Sequence, residues 1–104
     1  MHVLIVGAGI AGLTAAIALR HKGIDATIIE QAQQLSEIGA GIQIASNGSV
    51  VLRELGLEQA VAAKSVIPKS FDMRDISNGK LLYVSPLGDE GASRWGAPLY
   101  NIHR

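Results

Sequence analysis

The chain has 104 residues, nine basic and nine acidic side chains, and no cysteine. That length allows one domain at most, and the balanced charge gives no pull towards nucleic acid or anionic lipid. The missing thiols exclude a disulfide scaffold, a thiolate nucleophile and a cysteine-ligated metal, and they are compatible with a reducing cytoplasm, the expected location. Val3 to Leu19 is uncharged, but it is shorter than the ~20 residues a membrane span needs and is interrupted by Gly7, Gly9 and Gly12. No basic segment precedes it, so neither a membrane span nor a signal peptide is expected. Composition, 48% hydrophobic with twelve glycines, fits a globular α/β protein.

His2 to Val6 is a compact apolar run ending at Gly7, which predicts a fully buried strand. Ile10 to Lys22 then predicts a helix: Ile10, Leu13 and Ile17 share one face, and Ala11, Ala15 and Ala18 form a small-residue stripe suited to close packing on a sheet. The basic turn Arg20-His21-Lys22 and Gly23 mark its C-terminus. Asp25 to Glu30 is a second short buried strand. Strand, glycine turn, helix and strand within about thirty residues have the size of a βαβ unit.

Gln31 to Ser49 shows no sustained period and is expected to be an irregular crossing segment. Ser46 or Asn47 is the expected cap of a helix over Val50 to Leu55, stopped by Gly56. Leu57 to Lys64 predicts another short helix. From Pro68 the texture turns to β. Ser70 to Ile76 and Lys80 to Ser85, joined by Asn78-Gly79, predict a hairpin with a type I′ turn. Leu87 to Pro98 is expected to be a loop and Leu99 to His103 a final strand. Residues 1–67 thus form a dinucleotide-binding βαβ unit with its crossing segment, and 68–104 a hairpin region and strand.

Gly7-Ala8-Gly9-Ile10-Ala11-Gly12 is G-x-G-x-x-G directly after a strand and opening a helix. Gly7 permits the tight turn, Gly9 leaves room for a pyrophosphate at the backbone, and Gly12 lets helix and strand approach. The phosphates then meet free N–H groups at the positive end of the helix dipole. Glu30 closes the next strand eighteen residues after Gly12, where a carboxylate accepts hydrogen bonds from the ribose hydroxyls of an adenosine and disfavours a 2′-phosphate. The pattern names a dinucleotide without saying which. The alternative, glycines serving packing alone, ignores Glu30.

Four pieces, "GAGIAGL" (7–13), "IIEQ" (28–31), "GAGIQIASNGSVVLRELGL" (39–57) and "YNIHR" (100–104), resemble the FAD-dependent aromatic-ring monooxygenases, the class of salicylate hydroxylase-like and para-hydroxybenzoate hydroxylase-like enzymes. The resemblance implies an α/β fold: a Rossmann-like FAD-binding unit, short helices, and the start of a β-rich substrate-domain segment. It implies that Gly7, Gly9, Ala11 and Gly12 line the FAD pyrophosphate, that Glu30 holds the adenosine ribose, and that Gln31 lies beside it. Gly39 to Gln43 resembles the loop beside the flavin, with Gly41 allowing close approach and Gln43, an amide and so no general base, positioning the ring or substrate. Arg104 matches an arginine near the ribityl-phosphate region. No catalytic acid or base is expected here, nor a metal, since His2 and His21 have no partner at ligand spacing. Arg53 and Glu54 read as ordinary surface charges, and Tyr83 and Trp95 as packing or loop anchors.

The implied activity uses NADH or NADPH as a transient hydride donor, reduces FAD, and transfers one oxygen of O₂ to a small aromatic substrate. Further family contacts to flavin are absent, so the resemblance implies an incomplete domain, an N-terminal fragment inactive by itself and prone to self-association through open sheet edges. Two alternatives stay open at this point: a half-domain of an NAD-dependent oxidoreductase, and a non-catalytic truncated remnant.

Overall fold

The structure is a computed structural model that describes residues 1–36 and 41–103. In chain order it contains β1 (His2–Val6), α1 (Ile10–His21), β2 (Asp25–Ile29), β3 (Gly41–Ile44), α2 (Ser46–Glu54), α3 (Glu58–Ala62), β4 (Ser65–Val66), β5 (Ser70–Arg74), β6 (Leu81–Pro86), α4 (Gly88–Trp95) and β7 (Tyr100–His103). Two compact units divide it, Met1–Ile38 and Gly39–Arg104.

In the first unit β1 and β2 pair in parallel, from His2 opposite Asp25 to Val6 opposite Ile29. A parallel pair requires a crossover, which α1 supplies. Gly23 ends α1 in the left-handed region at φ +70°. Its N–H donates to the Arg20 carbonyl and that of Ile24 to Leu19, each at 3.0 Å, the Schellman arrangement that satisfies the last carbonyls of a helix. The close approach of helix to strand is made by Gly12, where a Cβ would fall on the Gly7 carbonyl oxygen and lie 3.3 Å from Ile5 Cγ2. The alanine stripe does not make it, since Ala11 and Ala15 are exposed. Nor are the strands fully buried. Val3, Ile5, Ala26 and Ile28 are half-buried on one face, while Leu4, Val6 and Ile29 on the other are 60%, 80% and 48% exposed. Parallel sheets are buried when both faces are covered, and a single helix covers one.

The second unit has a three-stranded antiparallel sheet in the order β3–β7–β4 and a separate hairpin of β5 and β6. Strand β3 falls inside the segment expected to be irregular. Only four residues long, with a glycine at its start, it carries too little alternation to announce itself. Pairing of Ile42 with Ile102 and of Ile44 with Tyr100 puts these apolar side chains on one face of the sheet. Helix α2 begins at Ser46 with Ala45 as its N-cap and no capping side chain, so neither Ser46 nor Asn47 caps it. Both lie in its first turn, and the helix starts four residues earlier than predicted. The fully buried Ser49 donates from Oγ to the Ala45 carbonyl at 3.3 Å, which satisfies a hydroxyl at the tightest point of the unit. Gly56, at φ +72°, stops α2 as expected.

The hairpin forms, but not through a type I′ turn. Among the described residues no non-glycine has positive φ, so Asn78 lacks the conformation that turn demands. A longer loop forms instead: Asp75 N–H donates to the Lys80 carbonyl and Gly79 N–H to the Asp75 carbonyl, both at 2.8 Å. The Asp75 carboxylate accepts from Ser77 N–H at 2.8 Å and Ser77 Oγ at 2.6 Å. The side-chain-to-backbone turn of an aspartate outcompetes the Asn-Gly preference. Tyr83 is 55% exposed on β6, so it does not serve as a packing anchor.

The stretch 87–98, expected to be a loop, contains α4. Gly88, Gly91 and Ser93 are poor helix formers, but Asp89 and Glu90 sit in the first turn, Arg94 in the last, and Gly96 closes it at φ +84°. That charge order suits the helix dipole. Arg53 is no ordinary surface charge. Its guanidinium donates to both Glu58 oxygens at 2.6 and 2.9 Å and to the Gly96 carbonyl at 2.9 Å. The buried Tyr100 hydroxyl donates to Glu58 Oε1 at 3.1 Å, so one ion pair joins α2, α3, β7 and the end of α4.

Gly12→Ala separates packing from propensity. Alanine favours a helix over glycine by about 1 kcal/mol, but overpacking against the Gly7 carbonyl costs about 1–3 kcal/mol. Urea unfolding is expected to show a net loss of stability; a gain would contradict the close contact.

Candidate functional site

The three glycines of the turn are needed for different reasons. Gly7 has φ +101°, a conformation that side chains avoid, and its N–H donates to the Ile29 carbonyl at 2.7 Å. Gly12 is required by helix-to-turn contact. Gly9 is required by neither: its backbone is ordinary, at φ −72° and ψ 179°, and a Cβ there would meet nothing within 4 Å. The fold accepts a side chain at position 9, and its absence leaves an open space directly at the mouth of α1.

Gly9 is the N-cap, no side chain caps it, and no acidic residue occupies the first turn. The helical bonding starts with Leu13 N–H on the Gly9 carbonyl at 3.0 Å, so the N–H groups of Ile10, Ala11 and Gly12 precede any intrahelical acceptor. Ala11 is exposed with a methyl group only. Three donors with no partner among the described residues, at a positive dipole end, suit an anion such as a pyrophosphate.

Glu30 stands beside this mouth. Its Oε2 accepts the Ala8 N–H at 2.7 Å and its Oε1 the Ala32 N–H at 2.9 Å. The bond from Ala32, then that from Ala8, holds the carboxyl below the usual carboxylate range, because each favours the charged form. Glu30 is exposed, so each oxygen keeps a lone-pair direction open to a ligand hydroxyl. Gln31 follows it, exposed in the bend after β2. Gly7, Gly9, Ala11, Gly12, Glu30 and Gln31 are thus gathered at one end of the β1–β2 sheet.

The other predicted residues lie in the second unit. Gly41 is needed by the fold itself, since a Cβ there would lie 2.9 Å from the Ile102 carbonyl oxygen; the close approach it permits is that of β7. Gln43 is exposed on β3 opposite Asn101. Gly39 and Arg104 fall outside the described residues. Trp95 is 58% exposed with the Arg94 guanidinium 4.8 Å from its ring centroid, so it is not a core anchor. It borders an apolar hollow of about 340 Å³ with Ala45, Leu87 and Leu99. Among the described residues no three His, Asp or Glu side chains form a group able to hold a metal ion, and no helix is long and apolar enough to cross a membrane.

The family described as FAD binding domain matches residues 1–83. The chain is 42% identical over its whole length to 3-amino-4-hydroxybenzoate 2-monooxygenase of Streptomyces cremeus, covering 26% of that protein. It is 37% identical to 3-hydroxybenzoate 6-hydroxylase of Polaromonas naphthalenivorans, again over the whole chain and 26% of the relative. Among solved structures, Klebsiella pneumoniae HpxO complexed with FAD and uric acid superposes with a TM-score of 0.81 at 30% identity, covering all of this chain and 26% of that one. The chain therefore spans about a quarter of the length of the relatives it matches.

Glu30→Gln keeps the shape of the side chain but not its charge. By isothermal titration, ADP binding is expected to weaken at least about tenfold, the scale of charge-assisted hydrogen bonds to hydroxyls. The sign with pH follows from a lowered carboxyl. Its stabilising bonds are complete above the ordinary carboxylate pKa and are lost as pH falls through the lowered value. The thermal midpoint should therefore hold level from neutral pH and drop only in acid, with a shallower acid limb in Glu30→Gln. Unchanged ADP affinity in the variant would remove Glu30 from the site.

Proposed function

From the premise that this chain belongs to the FAD binding domain family, we propose that it supplies the cofactor-binding segment of a flavoprotein monooxygenase that hydroxylates a small aromatic substrate. The observation that carries the proposal is Gly9: an ordinary backbone, no described atom beyond its chain neighbours within 4 Å of where a Cβ would be, and helix-start donors behind it with no partner among the described residues. Close contact accounts for Gly12 and the turn for Gly7; the open space at Gly9, which neither requires, supports a ligand there. The residues present fit the group. Gly7, Gly9, Ala11 and Gly12 line the pyrophosphate, Glu30 binds the adenosine ribose, and Gln31 flanks it. Gly41 and Gln43 serve the flavin end, as does Arg104.

FAD supplies what no side chain here has, the capacity to accept a hydride from NADH or NADPH and to activate O₂ for transfer of one oxygen atom. The part of this chain is electrostatic and steric. The α1 mouth offsets the charge of the pyrophosphate, Glu30 fixes the ribose by accepting hydrogen bonds from its two hydroxyls, and Gln43 orients by an uncharged amide at any pH. None of these groups is a general acid or base for the ring. Two of the relatives carry hydroxybenzoate names and the HpxO structure holds uric acid, which supports a small electron-rich ring as substrate class. Supply of a nicotinamide donor supports a cytoplasmic setting. Open edges of the β1–β2 and β5–β6 pairs support self-association of the chain.

Gly9→Ser tests the carrying observation. Serine is a better N-cap than glycine, so thermal stability is expected to hold or rise, while its hydroxymethyl group occupies the ligand's space and FAD binding falls at least about tenfold, beyond the loss of a single hydrogen bond. Retention of FAD affinity would overturn the proposal, and tighter binding of NAD⁺ than of FAD by the parent chain would favour a nicotinamide half-domain.

A further inference from the structure

We propose that Asn78 is a site of spontaneous covalent modification: the Gly79 nitrogen closes on its side-chain amide, expels ammonia and leaves an aspartyl or isoaspartyl residue at position 78. The inference is independent of the cofactor reading. It concerns an Asn-Gly motif that neither the hairpin turn nor the binding site uses.

An asparagine carries an electrophilic carbon within reach of the next backbone nitrogen, and a glycine there has no side chain to keep the two apart. Asn47 and Asn78 are both followed by glycine, each within the same tripeptide, Ser-Asn-Gly. By local sequence the two are equals. The structure separates them.

Asn78 lies at the tip of the β5–β6 hairpin, where Ser77, Asn78, Gly79 and Lys80 are all exposed. Its Oδ1 accepts the Lys80 N–H at 2.8 Å, so the side chain curls back over the Gly79 peptide in an Asx turn. Negative charge collects on that oxygen when a nitrogen adds to Cγ, and a donor at this distance stabilises the tetrahedral intermediate. One contact opposes the step. The Gly79 N–H donates to the Asp75 carbonyl at 2.8 Å and must come free before the nitrogen attacks. That bond belongs to a hairpin of only two strands, which opens locally at little cost.

Asn47 and Gly48 are held in the first turn of α2. There the Gly48 N–H donates to Asn47 Oδ1 at 2.9 Å, so it faces the oxygen of the amide and not its carbon. Gly48 is half-buried, and a Cβ on it would lie 3.0 Å from Ile44 Cγ2. The next N–H, that of Ser49, closes the helix on the Ala45 carbonyl at 3.0 Å. Ring closure at Asn47 therefore requires this turn to unwind.

The step is redox-neutral and needs only water. A solvent base takes the Gly79 proton, the nitrogen bonds to Asn78 Cγ, and the Cγ–Nδ2 bond breaks as the leaving nitrogen gains a proton and departs as ammonia. Water then opens the five-membered imide at either carbonyl. Either product adds one negative charge to a loop that already carries the Asp75 carboxylate. The isoaspartyl product also adds a methylene to the main chain between Asp75 and Lys80. Their N–H-to-carbonyl bond of 2.8 Å closes the hairpin, so this product loosens it.

Incubating the full chain in mildly alkaline buffer, folded and in urea, tests the proposal. Each asparagine is followed by peptide mass, and isoaspartate by methyl transfer from S-adenosylmethionine with a protein isoaspartyl methyltransferase. In the folded chain Asn78 is expected to convert at least about tenfold faster than Asn47, because one hydrogen bond restrains the first and a helical turn the second. In urea the two rates should converge, since the tripeptides are identical. Asn78→Gln, at an exposed position, should remove the methyl-accepting signal. Equal or faster conversion at Asn47 in the folded chain overturns the proposal, as does an Asn78 that converts only in urea. A preference that persists unchanged in urea, or methylation undiminished in Asn78→Gln, overturns it as well.

Discussion

The 2.7 Å hydrogen bond from the Ala8 N–H to the Glu30 carboxylate ties the end of β2 to the turn that follows β1, and the site depends on it. Without it, the carboxylate at the strand end and the donors at the helix mouth are separate features, Ala8 and Glu30 lying 22 residues apart in the chain. With it, one charged group both holds the turn and faces the place where a ribose would sit. The bond is charge-assisted and made to backbone, so it fixes position at little cost in side-chain freedom. The second bond, from Ala32, fixes the other oxygen, and the two together hold the carboxyl below the usual carboxylate range. Binding geometry is therefore prepared before any ligand arrives, the condition under which binding energy is not spent on ordering.

The second unit obtains its rigidity differently. It has few buried side chains, Ala97, Tyr100 and Ser49 among them, and a sheet whose outer strands have four and two residues. The Arg53–Glu58 pair offsets that thinness: bidentate contact, a third bond to the Gly96 carbonyl, and the Tyr100 hydroxyl on the same carboxylate. Arginine suits this role because its planar fork serves several acceptors at once. Burial and the Glu58 charge raise the Tyr100 phenol, so it remains a donor across the neutral range. Tyr100 begins β7, the central strand of the sheet that carries Gln43 on β3, and the network thereby supports that strand.

Much of this was legible in the residues. The βαβ unit was, because a β-branched run, a glycine turn, a helix with a basic last turn and Gly23 all favour the same local answer. The family was legible too, from motifs spread over the chain. What escaped has a common cause: it was decided by distant contacts rather than neighbours. Strand β3 is a strand because β7 pairs with it, and α4 is a helix despite its glycines because its charges and the Gly96 cap outweigh them. The type I′ turn at Asn78-Gly79 lost to the Asp75 carboxylate. Arg53 looked like a surface charge because Glu58 and the Gly96 carbonyl are invisible from its own sequence neighbourhood. Of the site, the sequence indicated that Gly7, Gly9 and Gly12 belong together; it did not distinguish the glycine the fold can do without from the two it needs.

The central claim is that the mouth of α1 and Glu30 form one site for the adenosine end of a dinucleotide. Backbone amide chemical shifts on ¹⁵N-labelled chain, followed as ADP is added, test it most directly. The account predicts saturable shifts concentrated at Ala8, Gly9, Ile10, Ala11, Gly12 and Ala32, since these N–H groups either meet the phosphates or hold the carboxylate that meets the ribose. Shifts absent from those amides, or confined to the second unit, would contradict it.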